Sequence, residues 1–235
     1  MENQENKTEV IVVGGGPAGI SCAITLARAG KQVILIERGK FSGSKNVFGG
    51  AIYAQPTREI FPDFEENAPL ERKNIEHKYA LLGEEDATVI SYKKRHENPV
   101  SYTVIRGKFD RWMADEAKKA GVILVEETVV RELIVQDGFV KGVRTELEEY
   151  YSDIVVLADG VNSLLAKQIG LRGDLSPEDV ALSVKEVLKL PQEVINERFH
   201  TYGFLSPYRG YFYYVFGDFI ISGGHSSPQG GIYPV

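Results

Sequence analysis

The chain has 235 residues, of which 43% are hydrophobic and 26% are charged, and its formal net charge is −6. These fractions are typical of a globular protein and exclude an intrinsically disordered chain, while the acidic balance disfavours nucleic acid as a partner. The single cysteine, Cys22, excludes an internal disulfide and cannot by itself hold an iron–sulfur cluster.

The first residues, 1–8, are polar and carry no apolar stretch behind a basic cluster, so they do not have the pattern of an export signal. The longest apolar stretch, 211–221, is interrupted by Gly217 and Asp218, and it is far shorter than the roughly 20 residues that span a bilayer. We therefore expect a cytoplasmic protein, and a peripheral contact with the inner face of the membrane stays open.

The first elements in the chain predict a strand, a tight turn, a helix and a second strand. Residues 9–13 are mostly β-branched, residues 17–29 carry apolar side chains at helical spacing, and residues 32–36 form another apolar run. Glycines separate the first strand from the helix, and Gly30 ends the helix. The pattern indicates a βαβ unit with two parallel, central strands.

The turn and the end of the second strand carry the first chemical signal. Gly14, Gly16 and Gly19 form a G-x-G-x-x-G pattern, and Glu37 follows the second strand. Such a loop brings a pyrophosphate close to the backbone and to the amides at the helix start, and the acid can accept hydrogen bonds from a ribose diol. The carboxylate disfavours a ribose 2′-phosphate, which leaves NAD and FAD as candidates.

The middle of the chain departs from a regular alternation of strands and helices. Residues 39–53 contain four glycines and predict a long loop of the kind that contacts ligands, and Glu65 with Glu66 is typical of a solvated loop. Residues 78–92 and 101–105 predict short strands of a smaller sheet. This excursion is not the arrangement expected of a nicotinamide dehydrogenase.

The remaining elements lead to a second chemical signal. A helix is predicted at 106–121, a strand at 122–125, and a hairpin from 133–135 and 139–144. A buried strand at 153–158 then stops at Asp159-Gly160, before a short helix at 163–169 and a strand at 182–191. An Asp-Gly pair at the carboxyl end of a parallel strand lies where ligands bind, and Asp159 could in addition be the N-cap of the short helix.

Five segments resemble one flavoprotein family. "VIVVGGGPAG", "VILIERG", "GSKNVFGGAIY", "RGKFDRWMADEAKKAG" and "VVLADGVNSLLAKQIGL" are similar to the electron-transfer flavoprotein:quinone oxidoreductase group, particularly its FixC type, within the geranylgeranyl-reductase and aromatic-hydroxylase flavoprotein superfamily. The resemblance runs over residues 9–199, while residues 200–235 do not follow the family. Members of the group are longer than this chain, and Gly217-Asp218 imitates a Gly-Asp pair that they carry later.

The resemblance implies FAD as the cofactor and assigns residues to it. Gly14, Gly16 and Gly19, with Pro17 and Ala18, would hold the pyrophosphate, and Glu37 and Arg38 would lie against the adenosine ribose. Arg106 would face the phosphate or the ribityl chain, and Asp159 with Gly160 would complete the phosphate side. Lys45, Asn46, Gly49 and Gly50 would lie near the flavin. No catalytic acid or base is implied, and the four histidines show no metal-ligand spacing.

The implied fold is an α/β, three-layer, Rossmann-like FAD/NAD(P)-binding domain with a smaller, incomplete antiparallel β substrate lobe. We expect the FAD-binding domain at 1–76 and 104–175, and the partial lobe at 77–103 and 176–235.

The implied function is an FAD-dependent dehydrogenase. It would pass electrons from an electron-transfer flavoprotein or similar donor to quinone or a ferredoxin-like acceptor, with a small ferredoxin-like protein as a further partner. Two alternatives stay open at this point. One is geranylgeranyl-reductase-like or FAD monooxygenase activity, and the other is a truncated, non-catalytic nucleotide-binding fragment.

Overall fold

The computed structural model describes residues 7–46, 49–74, 76–82, 85–93 and 101–176, with short strands at 188–189, 214–215, 221–222, 225–226 and 231–233. Most of the predicted strand 182–191, the pair Gly217-Asp218 and most of the tail after residue 199 lie outside the described residues. The chain divides into two compact units, one made of residues 1–46 and 110–180 and the other of residues 47–109 and 181–235. The limits predicted from the sequence for the FAD-binding domain and for the partial lobe stay a prediction.

The described helices and strands follow each other in this order: β1 (Lys7–Val13), α1 (Pro17–Arg28), β2 (Val33–Ile36), β3 (Gly49–Tyr53), α2 (Ala54–Ile60), α3 (Phe64–Asn67), β4 (Leu70–Asn74), β5 (Glu76–Leu82), β6 (Ala87–Lys93), β7 (Ser101–Ile105), α4 (Arg106–Lys119), β8 (Ile123–Val125), β9 (Val130–Gln136), β10 (Phe139–Thr145), β11 (Glu149–Leu157), α5 (Leu164–Gln168), β12 (Leu188–Lys189), β13 (Tyr214–Val215), β14 (Ile221–Ser222), β15 (His225–Ser226) and β16 (Gly231–Tyr233).

The first unit is built on a six-stranded sheet in the order β8-β2-β1-β11-β10-β9. Strands β8, β2, β1 and β11 run parallel to one another, and β10 pairs antiparallel with both β11 and β9. The predicted parallel βαβ unit and the predicted hairpin are therefore both present. The Rossmann-like α/β fold class is confirmed.

Apolar residues cover both faces of the central strands. On one face, Ile11 and Val13 belong to a buried cluster that extends to Leu165 of α5. Val10 and Val12 alternate with them along β1 and are buried on the opposite face. Burial on both faces is what a continuous apolar run in a parallel sheet predicts.

The second unit contains the sheet β3-β7-β4 and the hairpin of β5 and β6. Strand β7 pairs antiparallel with both β3 and β4, and β5 pairs antiparallel with β6. Two predictions need correction here. Residues 49–53, predicted as part of a long loop, form β3, because they pair along their whole length with β7. Glu65, predicted as a loop acid, lies in α3 and pairs with Arg58.

No helix within the described ranges is long and apolar enough to cross a membrane.

Candidate functional site

The carboxyl ends of three parallel strands meet at one edge of the first unit's sheet. Val13 lies beside Ile36 of β2 and beside Leu157 of β11. Beyond the paired residues, the N–H of Gly14 donates to the carbonyl of Ile36 at 2.8 Å, and the N–H of Ala158 donates to the carbonyl of Val13 at 2.8 Å. The glycine loop, Glu37 and Asp159 therefore start from the same edge, where ligands of open parallel sheets bind.

Gly14 and Gly19 are fixed by contacts inside the protein. Gly14 has φ of +108°, and a Cβ there would lie 2.2 Å from the carbonyl oxygen of Ala158. A Cβ on Gly19 would lie 1.9 Å from the carbonyl oxygen of Gly14. Both positions need glycine because a real Cβ does not approach backbone atoms so closely, so the loop packs directly on the end of β11.

Gly16 differs from the other two glycines. A Cβ built on Gly16 meets nothing within 4 Å, and its φ of −84° and ψ of 178° suit any residue. The internal packing therefore gives no reason for glycine at this position. Open space beside the backbone is what a closely approaching pyrophosphate requires.

The start of α1 completes this cradle. Gly16 is its N-cap, Pro17 occupies the first turn, and no described side chain caps the helix end. The first-turn amides, among them those of Ala18 and Gly19, lack carbonyl partners within the helix, and the helix dipole adds partial positive charge. The residues present fit an anionic diphosphate at this end of the helix.

Glu37 is held between two loops. Its Oε2 accepts a hydrogen bond from the N–H of Gly15 at 2.8 Å, and its Oε1 accepts one from the N–H of Gly39 at 2.6 Å. A carboxylate has about four acceptor sites, so each oxygen keeps capacity for a ribose hydroxyl. Arg38 follows on the exposed side of the chain.

Asp159 and Gly160 begin a hydrogen-bonded turn next to the glycine loop. The Oδ2 of Asp159 accepts a hydrogen bond from the N–H of Leu165 at 3.1 Å, so Asp159 satisfies one first-turn amide of α5, although the N-cap position itself is Ser163. Gly160 has φ of +77°, and its carbonyl accepts a hydrogen bond from Ser163 Oγ at 2.7 Å. Arg172 also donates to Ser163 Oγ, at 2.7 Å. These bonds hold the turn at the edge where a cofactor role for Asp159 was predicted.

The loop after β2 is anchored to α4. The side-chain amide of Asn46 donates to Oδ2 of Asp110 at 3.3 Å, and Asp110 is buried. The guanidinium of Arg111 lies 5.1 Å from the ring centre of Phe41. Lys45, beside Asn46, is exposed.

The other predicted site residues belong to the second unit. Gly49 and Gly50 pair in β3 with Ile105 and Val104 of β7. Arg106 follows β7 directly as the first residue of α4. The structure thus brings Gly49, Gly50 and Arg106 together within this unit, and their roles toward the flavin stay a prediction.

Ser42 is a candidate that the sequence did not indicate. Its side chain is 0% exposed, and its Oγ has no hydrogen-bond partner among the described residues. Its backbone N–H donates to Oε1 of Glu126 at 3.2 Å. In the sequence it is one of two serines in a glycine-rich stretch, and nothing distinguishes it from the exposed Ser44.

These features define a dinucleotide-binding fold, and comparison with known proteins shows its family. Residues 7–211 match the model of the FAD binding domain family, so the chain belongs to that family. FAD is accordingly its cofactor, which confirms the prediction.

Among individual proteins, the chain is similar to FixC. It is 43% identical over 206 residues to Protein FixC of Azorhizobium caulinodans and 41% identical over 202 residues to that of Escherichia coli K12. Both matches cover 85% of this chain but 47% of the relative, so the chain spans about half the length of these proteins. The predicted FixC resemblance is confirmed.

Solved structures agree on the fold. A geranylgeranyl bacteriochlorophyll reductase-like protein from Thermoplasma acidophilum superposes with a TM-score of 0.66 at 20% identity, covering 97% of this chain and 56% of its own. The myxobacterial chondrochloren halogenase CndH, an FAD-dependent halogenase, gives 0.60 at 21% identity, covering 78% and 41%. At such identities the likeness concerns the fold alone.

Proposed function

We propose that the protein is an FAD-dependent oxidoreductase that takes electrons from a reduced electron-transfer flavoprotein or a similar donor. It delivers them to quinone or to a ferredoxin-like acceptor. The observation that carries this proposal is the similarity to FixC proteins at 41% to 43% identity over 85% of the chain. The diphosphate cradle at the start of α1 supports it, because it fits the cofactor that such a reaction needs.

Within this proposal, each wall of the first unit's site has its own task. The cradle of Gly14, Gly16 and Gly19 binds the pyrophosphate, together with the first-turn amides of α1. Glu37 accepts hydrogen bonds from the adenosine ribose. The turn at Asp159-Gly160 closes the phosphate side, held in place by its bonds to α5.

The residues of the second unit are proposed for the flavin end. Gly49 and Gly50 leave room beside the ring system, and Arg106 faces the phosphate or ribityl chain. Lys45 and Asn46 of the first unit are also assigned to the flavin end, where the bond from Asn46 to Asp110 fixes the loop. When bound, FAD supplies the two-electron chemistry. The role of the protein is therefore to bind and orient the cofactor, and the reaction needs no catalytic acid or base from the chain.

The proposed small ferredoxin-like partner rests on the resemblance to FixC proteins. Cys22 is the one cysteine in these 235 residues, and an iron–sulfur cluster takes about four thiolates. Burial also raises the pKa of the Cys22 thiol, which disfavours the thiolate that a metal would need. These 235 residues therefore do not by themselves supply the thiolates of such a cluster.

The proposal is tested by loading the protein with FAD and following the flavin absorption under anaerobic conditions. Reduced electron-transfer flavoprotein should bleach the flavin band, and a short-chain quinone should restore it. NADPH should not bleach it, and a Gly16→Ala variant, which weakens the cradle, should retain less flavin than the wild type under the same loading.

Two outcomes would contradict the proposal. Bleaching by NADPH and not by the flavoprotein donor would favour reductase or monooxygenase activity instead. Failure of the wild-type protein to take up any flavin would favour a non-catalytic nucleotide-binding fragment.

A further inference from the structure

Ser42 has a buried hydroxyl that forms no hydrogen bond with the described residues. The side chain is 0% exposed, and its Oγ has no hydrogen-bond partner among the described residues. Its backbone amide is already satisfied by Glu126, so the loop is anchored without the hydroxyl. A buried hydroxyl without a partner is costly, and such a group in a folded protein asks for an explanation.

The hydroxyl of Ser42 lies next to the glycine loop and to Glu37. A Cβ on Gly15 would lie 2.7 Å from Ser42 Oγ and 3.0 Å from Oε2 of Glu37. Both side-chain oxygens therefore lie within 3.0 Å of one point beside Gly15, the second residue of the glycine loop. Gly15 also donates its N–H to that same Oε2, which keeps the carboxylate there.

The two oxygens have complementary hydrogen-bonding capacity. The carboxylate of Glu37 only accepts, whereas the hydroxyl of Ser42 can both donate and accept. A ribose diol offers two hydroxyls, each of which can donate to the carboxylate and still accept from a serine. A phosphate could accept from Ser42, but the neighbouring carboxylate disfavours it by charge repulsion.

We propose that Ser42 is a cofactor-binding residue whose hydroxyl hydrogen-bonds a ribose hydroxyl of the adenosine half of FAD, beside Glu37. The inference rests on the FAD site proposed above and adds a residue to it. Gly15 and Glu37 both lie close to the hydroxyl, and the proposed site places the ribose beside them. Binding supplies the partner that the folded chain does not.

The test compares Ser42→Ala with Ser44→Ala, a matched serine in the same loop whose side chain is exposed. Ser42→Ala should raise the dissociation constant of FAD, measured by flavin fluorescence, by about 3- to 10-fold. The melting temperature of the protein without FAD should stay equal or rise, because the substitution removes an unpaired buried group. Ser44→Ala should change neither quantity.

Competition with ADP, 2′-deoxy-ADP and 3′-deoxy-ADP then locates the contact. Ser42→Ala should weaken ADP and one of the two deoxy analogues, and it should leave unchanged the analogue that lacks the contacted hydroxyl. Equal weakening of all three nucleotides would overturn the proposal, as would an unchanged FAD dissociation constant.

Gly16→Ala separates failure of this inference from failure of the site. If Gly16→Ala weakens FAD and Ser42→Ala does not, the site stands and the role of Ser42 is wrong. If Gly16→Ala leaves FAD binding unchanged, the diphosphate is held elsewhere, and both the proposed site and the role of Ser42 are overturned.

Discussion

At the scale of single residues, the three glycines of the motif have two different causes. Gly14 and Gly19 are required by the fold, since a Cβ on either would meet a backbone carbonyl at 2.2 or 1.9 Å. Gly16 has free space around its Cα and an unstrained backbone. A sequence pattern cannot separate these causes, whereas substitution can.

Gly16→Ala and Gly19→Ala should therefore fail in different ways. Gly16→Ala should change the free energy of unfolding of the cofactor-free protein by less than about 1 kcal/mol, because alanine replaces glycine at an unstrained N-cap. It should weaken FAD by about tenfold or more, because the added methyl occupies the approach of the pyrophosphate. Gly19→Ala should cost at least about 3 kcal/mol, because the helix must move away from the loop.

Urea unfolding of the cofactor-free variants measures the first effect, and FAD titration measures the second. A Gly16→Ala protein that binds FAD like the wild type would show that the open space at Gly16 is not where the pyrophosphate lies. A Gly19→Ala protein of normal stability would show that the loop and helix relax more easily than their packing indicates.

Asp159 has a structural role that can be separated from its proposed cofactor role. Asp159→Ala removes the acceptor of the Leu165 amide and should lower the free energy of unfolding by about 1 kcal/mol. Asp159→Asn keeps an oxygen acceptor and should retain most of that stability. A loss of FAD affinity in Asp159→Asn would then report on the cofactor contact, and unchanged affinity in both variants would leave Asp159 as a cap alone.

At the scale of the elements, the sequence patterns correctly predicted those helices, turns and hairpins that short-range interactions form. The glycine turn, the apolar spacing of α1 and the hairpin between β9 and β10 follow from short-range rules, and the structure has them within a few residues of the predicted bounds. Strand β3 was missed because its two glycines are typical of loops. Its strand structure comes from pairing with β7, which is distant in the sequence.

Glu65 shows the same limit for a charged residue. It was predicted as a solvated acid, yet Arg58 donates to both of its carboxylate oxygens, at 3.0 and 2.7 Å. The hydroxyl of Tyr102 in β7 donates to it as well, and the Tyr102 ring packs edge-on against Phe64 at 5.6 Å. The acid therefore connects α2, α3 and β7 within the second unit.

This cluster predicts a pH-dependent stability. The hydrogen bonds from Arg58, and to a lesser degree from Tyr102, hold the pKa of Glu65 below its ordinary value of 4.5. A lowered pKa in the folded state means that the stabilisation is complete above pH 4.5 and is lost as the pH falls through the folded-state pKa. Glu65→Gln should cost about 1 kcal/mol at neutral pH, because the pair is partly exposed.

Thermal unfolding between pH 3 and 7 measures this effect, with Glu66→Gln as an exposed control in the same helix. The gap between wild type and Glu65→Gln should close as the pH falls below about 4.5. A gap of constant size across the range would mean that packing, and not the charge of Glu65, provides the stabilisation.

At the scale of the molecule, the part of the site that could be predicted is the part that lies at the ends of parallel strands. Glu37 and Asp159 follow parallel strands on either side of β1, so their meeting at one edge with the glycine loop follows from the strand order. Ser42 could not be predicted in this way. Its burial depends on the course of a loop that Glu126, from the stretch after β8, helps to fix.

The site in the first unit thus joins three segments that are far apart in the sequence, and FAD should couple them. In hydrogen exchange, FAD should slow exchange together in residues 14–19, 37–46 and 159–163, because one ligand satisfies or shields the backbone of all three loops. ADP should protect residues 14–19 and 37–44, which the proposed site places beside the diphosphate and the adenosine. The turn at Asp137 and Gly138, between β9 and β10, is an internal control that should not change. Protection confined to residues 14–19 would mean that the later segments take no part in binding, and that the split site inferred from the meeting of the strand ends is wrong.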